Sequence, residues 1–274
     1  MDPGDKPRDD IEWCYGRAMN TARVSALRTD PAFAPLRRSL DVYYGDPAHD
    51  AAMDKLYAPF VSPGELAFDI GSHVGDRIGS FRRLGAHVVA VEPQPLCARV
   101  IRSIYAGDDQ VTLLEAACGA EPGKVTLRIN SANPTVSTAS PDFVRAAHGA
   151  GGWEDQVWDT EIEVPATTLD ALIAEYGVPA FAKIDVEGFE DTVLEGLSRP
   201  VPKLSFEFTT IQRDVAVRCL DRLASLGSYG FDIALGESQV LTFDRWISKA
   251  EMAAHILGLP HEANSGDVYC VLQE

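Results

Sequence analysis

Basic residues are scarce. Against 24 Lys and Arg stand 41 Asp and Glu, a formal charge of −17, and a surface so charged repels the phosphates of nucleic acid and the anionic headgroups of a lipid bilayer. Neither nucleic acid nor membrane is an expected partner. Long apolar runs are missing too: no stretch approaches the roughly eighteen uninterrupted apolar residues of a membrane span. The opening Met1-Asp2-Pro3-Gly4-Asp5 has neither the basic nor the apolar segment of a secretory leader, so a cytoplasmic protein is expected. Cysteine is sparse. Cys14, Cys97, Cys118, Cys219 and Cys270 are odd in number and far apart, form no close metal-binding pair, and read as reduced, mostly buried thiols. No repeat with a period of about 20 to 50 residues appears, which excludes solenoids and propellers.

What the chain does have is 46% hydrophobic residues over 274 positions, enough to bury a large core without staples. Residues 11–57 read as helices broken at Pro31, Pro35, Gly45 and Pro47, and residues 61–64 as the turn that ends them. Beyond that turn, strands alternate with helices. Short apolar runs at 66–70, 87–92, 111–114, 181–186 and 203–208 predict five strands, the first ending in glycine and the second in Glu92-Pro93. Helical spacing of Ile78, Phe81 and Leu84, then of Leu96, Val100, Ile101 and Ile104, fills the gaps between the first three. Leu169, Leu172, Ile173 and Tyr176 form a further apolar face, as do Val193, Leu194 and Leu197, and then Leu220, Leu223 and Leu226. The pattern predicts an α/β fold, a Rossmann-like, doubly wound, mostly parallel sheet. An N-terminal helical cap over residues 1–60 precedes it, and a long insertion at about 118–166 interrupts the domain 61–274. Tyr43, Tyr44 and Tyr57 in the cap suit either a lid or helix packing.

The segment from Phe68 to Asp76 follows a strand, opens a helix, and precedes an acidic strand end by about twenty residues, the arrangement of a nucleoside-binding turn. A dinucleotide turn needs a second glycine two places after the first, where this chain has His73, so a pyrophosphate fits poorly. Asp69 would repel a diphosphate yet attract the α-ammonium of an amino-acid cofactor. S-adenosylmethionine satisfies both constraints. Asp69, Gly71, Ser72, His73, Gly75 and Asp76 are the expected cofactor turn, and Glu92, followed by Pro93, is placed to accept hydrogen bonds from the ribose hydroxyls.

A second constellation is Lys183-Ile184-Asp185-Val186-Glu187-Gly188-Phe189-Glu190. If the strand runs that far, alternation puts Lys183, Asp185 and Glu187 on one side, at the carboxyl edge where open α/β sheets bind ligands. Asp185 and Glu187, with Glu207 at the end of the next strand, are the expected catalytic residues. Residues 133–138 and 260–266 are dense in hydroxyl, amide and imidazole groups that suit a polar acceptor. His49, His261, Asp185 and Glu207 have no close ligand spacing along the chain, and no metal is expected.

Together these segments resemble the FkbM family of S-adenosylmethionine-dependent methyltransferases. Residues 68–76 look like the family's first motif, 88–93 like its second, and 183–190 like its Lys-Ile-Asp-Val-Glu-Gly signature, with Thr168-Leu169-Asp170-Ala171-Leu172 ahead of the fourth strand. The resemblance covers about residues 65–210. It implies a class I methyltransferase fold and methyl transfer to a small-molecule acceptor, commonly a hydroxyl of a sugar, polyketide or other natural product. N-methylation, and a cofactor-binding module without transferase activity, are the alternatives. The N-terminal helices would enclose the substrate or join two copies in a homodimer.

Overall fold

A computed structural model describes residues 21–273; the helical reading of residues 11–20 and Cys14 lie outside them. Among the described residues ten strands form: β1 Leu66–Ile70, β2 His87–Val91, β3 Val111–Leu114, β4 Ala117–Cys118, β5 Gly123–Ile129, β6 Thr160–Thr167, β7 Phe181–Ile184, β8 Lys203–Thr209, β9 Tyr229–Leu235 and β10 Ser265–Leu272. Seven make one sheet in the order β3-β2-β1-β7-β8-β10-β9, and β4, β6 and β5 make a second, small one. In the large sheet β10 runs antiparallel to both its neighbours, and the five strands from β3 to β8 pair in parallel. This is the doubly wound, mostly parallel architecture the sequence predicts.

Period-two alternation divides the core into two faces. Phe68, Ile70, Val89, Val91, Ala182, Ile184 and Phe206 point to one, covered by helices Leu169–Tyr176, Glu190–Glu195, Arg213–Leu226 and Lys249–Gly258. Ala67, Val88, Ala90, Phe181 and Tyr269 point to the other. The helices Asp76–Arg83 and Pro95–Ile104 cover that second face, together with the N-terminal helices Arg37–Tyr43 and Pro47–Tyr57. Those N-terminal helices are built into the core: the Tyr57 ring lies 4.9 Å from Phe81 and 5.6 Å from Phe181, and Phe60 lies 5.4 Å from Tyr269.

Two readings need correction. The fourth predicted strand stops at Ile184 rather than residue 186, because the chain turns through positive φ at Glu187 and Gly188. The strand β9 was not anticipated. Cys97, Cys118, Cys219 and Cys270 are free and buried, as expected.

The chain winds from β1 through β2 to β3 on one side, then through β7 to β8 on the other. Between the carboxyl ends of β1 and β7 the direction of winding reverses, and such a reversal opens a crevice. Asp69 on β1 faces Lys183 on β7 in register there.

Candidate active site

The turn after β1 is shaped by its neighbours. Gly71 adopts φ +84°, and a Cβ on it would lie 1.8 Å from the Asp185 carbonyl oxygen, so only glycine fits. The close approach that excludes a side chain is thus to this chain's own backbone, where the Asp185 N–H donates to Ile70 O at 2.9 Å. Gly75, at φ +85°, begins the helix Asp76–Arg83. The Tyr105 hydroxyl donates to Gly75 O at 2.5 Å, and the Tyr44 hydroxyl to Val74 O at 2.9 Å. Two tyrosines therefore clamp the turn.

Glu92 follows β2 and is buried, with each oxygen taken by a main-chain donor: His73 N–H at 2.7 Å and Gln94 N–H at 2.7 Å. Burial pushes its carboxyl up to about 8, against the pull of those two bonds. Asp69 is 1% exposed, and among the described residues its Oδ2 has no hydrogen-bond partner. Burial pushes it up to about 7, although Lys183 opposes the shift. His73 is lowered to about 4 by burial and is neutral at physiological pH. Its ring lies 3.4 Å from the Thr135 hydroxyl and 3.6 Å from the Cys97 thiol.

Across the crevice, Glu190 builds the turn after β7 by accepting from Val186 N–H at 3.0 Å and Gly188 N–H at 3.2 Å. The Thr138 hydroxyl donates to Glu187 O at 2.6 Å. Lys183, 1% exposed, donates to Asp185 Oδ2 and Asp267 Oδ1, each at 2.9 Å. Asp185, Glu187 and Glu207 bring one carboxylate oxygen each within 4.8 Å of the others. They are close enough to share a proton or a divalent ion. The sequence places them at the ends of successive strands, and the pairing of β7 with β8 brings those ends together, although their spacing along the chain is not that of a metal site. Burial alone would raise Asp185, but the Lys183 ammonium and the Arg77 guanidinium outweigh it and hold the carboxyl below its usual range. Burial, then the nearby carboxylates, push Glu187 and Glu207 well above theirs.

One pocket gathers Asp69, Gly71, Ser72, His73, Asp76, Glu92, Pro93, Asp185, Glu187 and Glu207; Gly75 does not line it. From the polar loop 133–138, Thr135 and Ser137 reach the pocket, while the loop 260–266 does not. His261 is spent on the Gly151 carbonyl, 2.8 Å from its Nε2, and His49 is not among the lining residues. Tyr43 lines the pocket, whereas Tyr57 belongs to the core. The sequence reading missed Arg77, Gln94, Glu237 and Asp267. Arg77 pairs with Asp76 and, at 3.0 Å, with Glu237, beneath the Tyr43 ring 6.0 Å away. Gln94, next to Glu92-Pro93, had a signal in its position; Glu237 follows β9 and Asp267 lies on β10, strands that carry no motif.

Residues 69–233 match the family described as the methyltransferase FkbM domain, and among curated proteins none matches. Several solved structures are similar at low identity. An O-methyltransferase from Bacillus cereus, in complex with S-adenosylhomocysteine, is 11% identical with a TM-score of 0.48, over 92% of this chain and 91% of that one. A precorrin-6y C5,15-methyltransferase from Geobacter metallireducens is 11% identical with a TM-score of 0.42, over 84% and 90%. An S-adenosylmethionine-dependent O-methyltransferase from Thermotoga maritima is 11% identical with a TM-score of 0.41, over 88% and 72%. With its family match spanning both the turn after β1 and the Lys183–Glu190 segment, the chain belongs to the FkbM family of S-adenosylmethionine-dependent methyltransferases.

Proposed function

We propose that the protein O-methylates a hydroxyl of a small polar acceptor, such as a sugar or polyketide, and that the Asp185–Glu187–Glu207 trio receives the proton. The observation that carries this reading is the meeting of the three carboxylates within 4.8 Å, across the crevice from the turn after β1. The residues fit the cofactor. Asp69 offers a buried, unpartnered carboxylate oxygen in the pocket, the counter-charge an α-ammonium requires. Glu92 keeps a second lone pair on each oxygen for the ribose hydroxyls.

When bound, S-adenosylmethionine supplies a sulfonium methyl whose C–S bond breaks with both electrons staying on sulfur as the acceptor oxygen forms the new C–O bond. The chain's own task is to orient that oxygen and take its proton. Burial and the neighbouring carboxylates push Glu187 and Glu207 toward the protonated form, and Lys183 and Arg77 push Asp185 toward the ionised one, so Asp185 is the member of the trio best placed to accept a proton. His73, neutral but held low by burial, is a weak base and serves through its backbone N–H on Glu92.

Two measurements test the reading. Calorimetric titration should give binding of S-adenosylhomocysteine and none of NAD. Labelled methyl should pass from S-adenosylmethionine to a panel of methyl glycosides and macrolactones, and Asp185→Asn should slow that transfer by roughly 10²-fold with S-adenosylhomocysteine affinity kept. Near-normal transfer in the variant would remove Asp185 from the role; label appearing on amines alone would mark an N-methyltransferase.

A further inference from the structure

Lys183 carries a full charge at 1% exposure, and a buried ammonium needs a carboxylate partner. Asp185 would suffice. Yet a second carboxylate, Asp267 on β10, lies at the same 2.9 Å from the same nitrogen. It sits opposite Glu207 in the β8–β10 register. Burying a second anion against one cation costs solvation that a neutral pair would not, so the arrangement is not explained by stability. Asp267 also lies outside residues 69–233, the part that matches the family.

We propose that Asp267 is a positioning residue for methyl transfer: by sharing the Lys183 ammonium it keeps Asp185 from being fully neutralised, so that the Asp185 carboxylate can take the acceptor's proton. The inference rests on the reading of Asp185 as the proton acceptor. The other charges around Asp185 do not do this work. Arg77, from the helix Asp76–Arg83, is already held by Asp76 and Glu237. Glu187, Glu190, Glu92 and Glu207 are buried acids that favour the protonated form, His73 is neutral, and the Tyr43 hydroxyl is kept protonated by burial. Around Lys183 itself stand Asp185, Asp267, Tyr57 and Arg77 and, in register on β1, Asp69, and of these only Asp185 and Asp267 bond its nitrogen.

Asp267→Asn removes the charge while keeping an oxygen for Lys183, which isolates the effect. Methyl transfer to whichever panel acceptor takes up label, counted per bound S-adenosylhomocysteine site, should fall about tenfold with KM for S-adenosylmethionine unchanged. In a Lys183→Met background the same substitution should cost nothing further, because the effect travels through the ammonium. An additive loss in that background would mean that Asp267 acts only on the structure, and overturn the proposal. A second arm needs no acceptor: in protein labelled with carboxyl-¹³C aspartate, the Asp185 resonance, identified by its loss in Asp185→Asn, should titrate at lower pH in Asp267→Asn by about half a unit or more. An unmoved midpoint would equally overturn it. If Asp185→Asn retains transfer while the midpoint shifts, the proton-acceptor reading fails and the charge-sharing stands.

Discussion

Asp69 and Glu92 are both carboxylates sealed from water, but they are satisfied differently. Glu92 accepts from the main-chain N–H groups of His73, in the turn after β1, and of Gln94, whereas among the described residues Asp69 Oδ2 has no hydrogen-bond partner. Removing either should weaken S-adenosylhomocysteine binding by about 1.5–3 kcal/mol, the worth of a charge-assisted bond to a ligand. Their effects on the free protein should diverge. Glu92→Ala also removes its two internal bonds, to His73 and Gln94, and should lower the thermal midpoint, while Asp69→Ala deletes a buried acid with one unpartnered oxygen and should leave it unchanged or raised. Calorimetric titration and scanning calorimetry check both halves; undiminished affinity in Glu92→Ala would contradict the ribose assignment. These residues were legible in the sequence because strand, glycine and acid recur at spacings that a nucleoside pocket imposes. Asp267 was not, since its partner lies 84 positions away and only the insertion of one strand between two others brings them together.

The helix Pro47–Tyr57 shows what sequence periodicity leaves out. Its existence was readable from residues 11–57 and their prolines, but its place against Phe81, Phe181 and Tyr269 depends on contacts with no local signature. Met53 is fully buried there, so Met53→Ala should cost about 2–5 kcal/mol, measurable by denaturant unfolding; a loss below about 0.5 kcal/mol would mean that the helix rides on the surface as a detachable lid. Strands β1, β2, β3 and β8 were read correctly because each is an apolar run closed by a turn signal or a charge. The strand β9 hid because Gly230 and Asp232 interrupt its apolar character, yet Asp232 is absorbed by main-chain bonds to residues 242 and 243. The overlong reading of β7 has a similar cause. Its continuation alternates polar and apolar like a strand, and the left-handed turn at Glu187 is imposed from elsewhere, by Glu190 and Thr138.

The charge balance of the protein adds up to a dependence on pH. Asp69, Glu92 and Glu190 are raised to about 7, 8 and 8, so the folded chain keeps protons that the unfolded chain gives up near pH 4. Their stabilising contribution is complete below that value and is lost as pH rises through about 7 to 8. Asp185, held low, works in the opposite sense only in acid. The thermal midpoint without ligand should therefore fall between pH 5.5 and pH 8.5. S-adenosylhomocysteine, whose ammonium favours the ionised Asp69, should raise the midpoint more at the upper end and release protons on binding, visible as heats that vary with buffer. A midpoint that climbs with pH in the free protein would contradict the assignment. The place of β10 bears on another matter, the order in which the molecule is made. It is synthesised after both β8 and β9, yet it enters the sheet between them. Until it arrives, both strands present an open hydrogen-bonding edge and Lys183 has one carboxylate instead of two. A chain cut short before residue 265 would then be less a weakened enzyme than a sticky one, with two bare edges ready to pair with another chain.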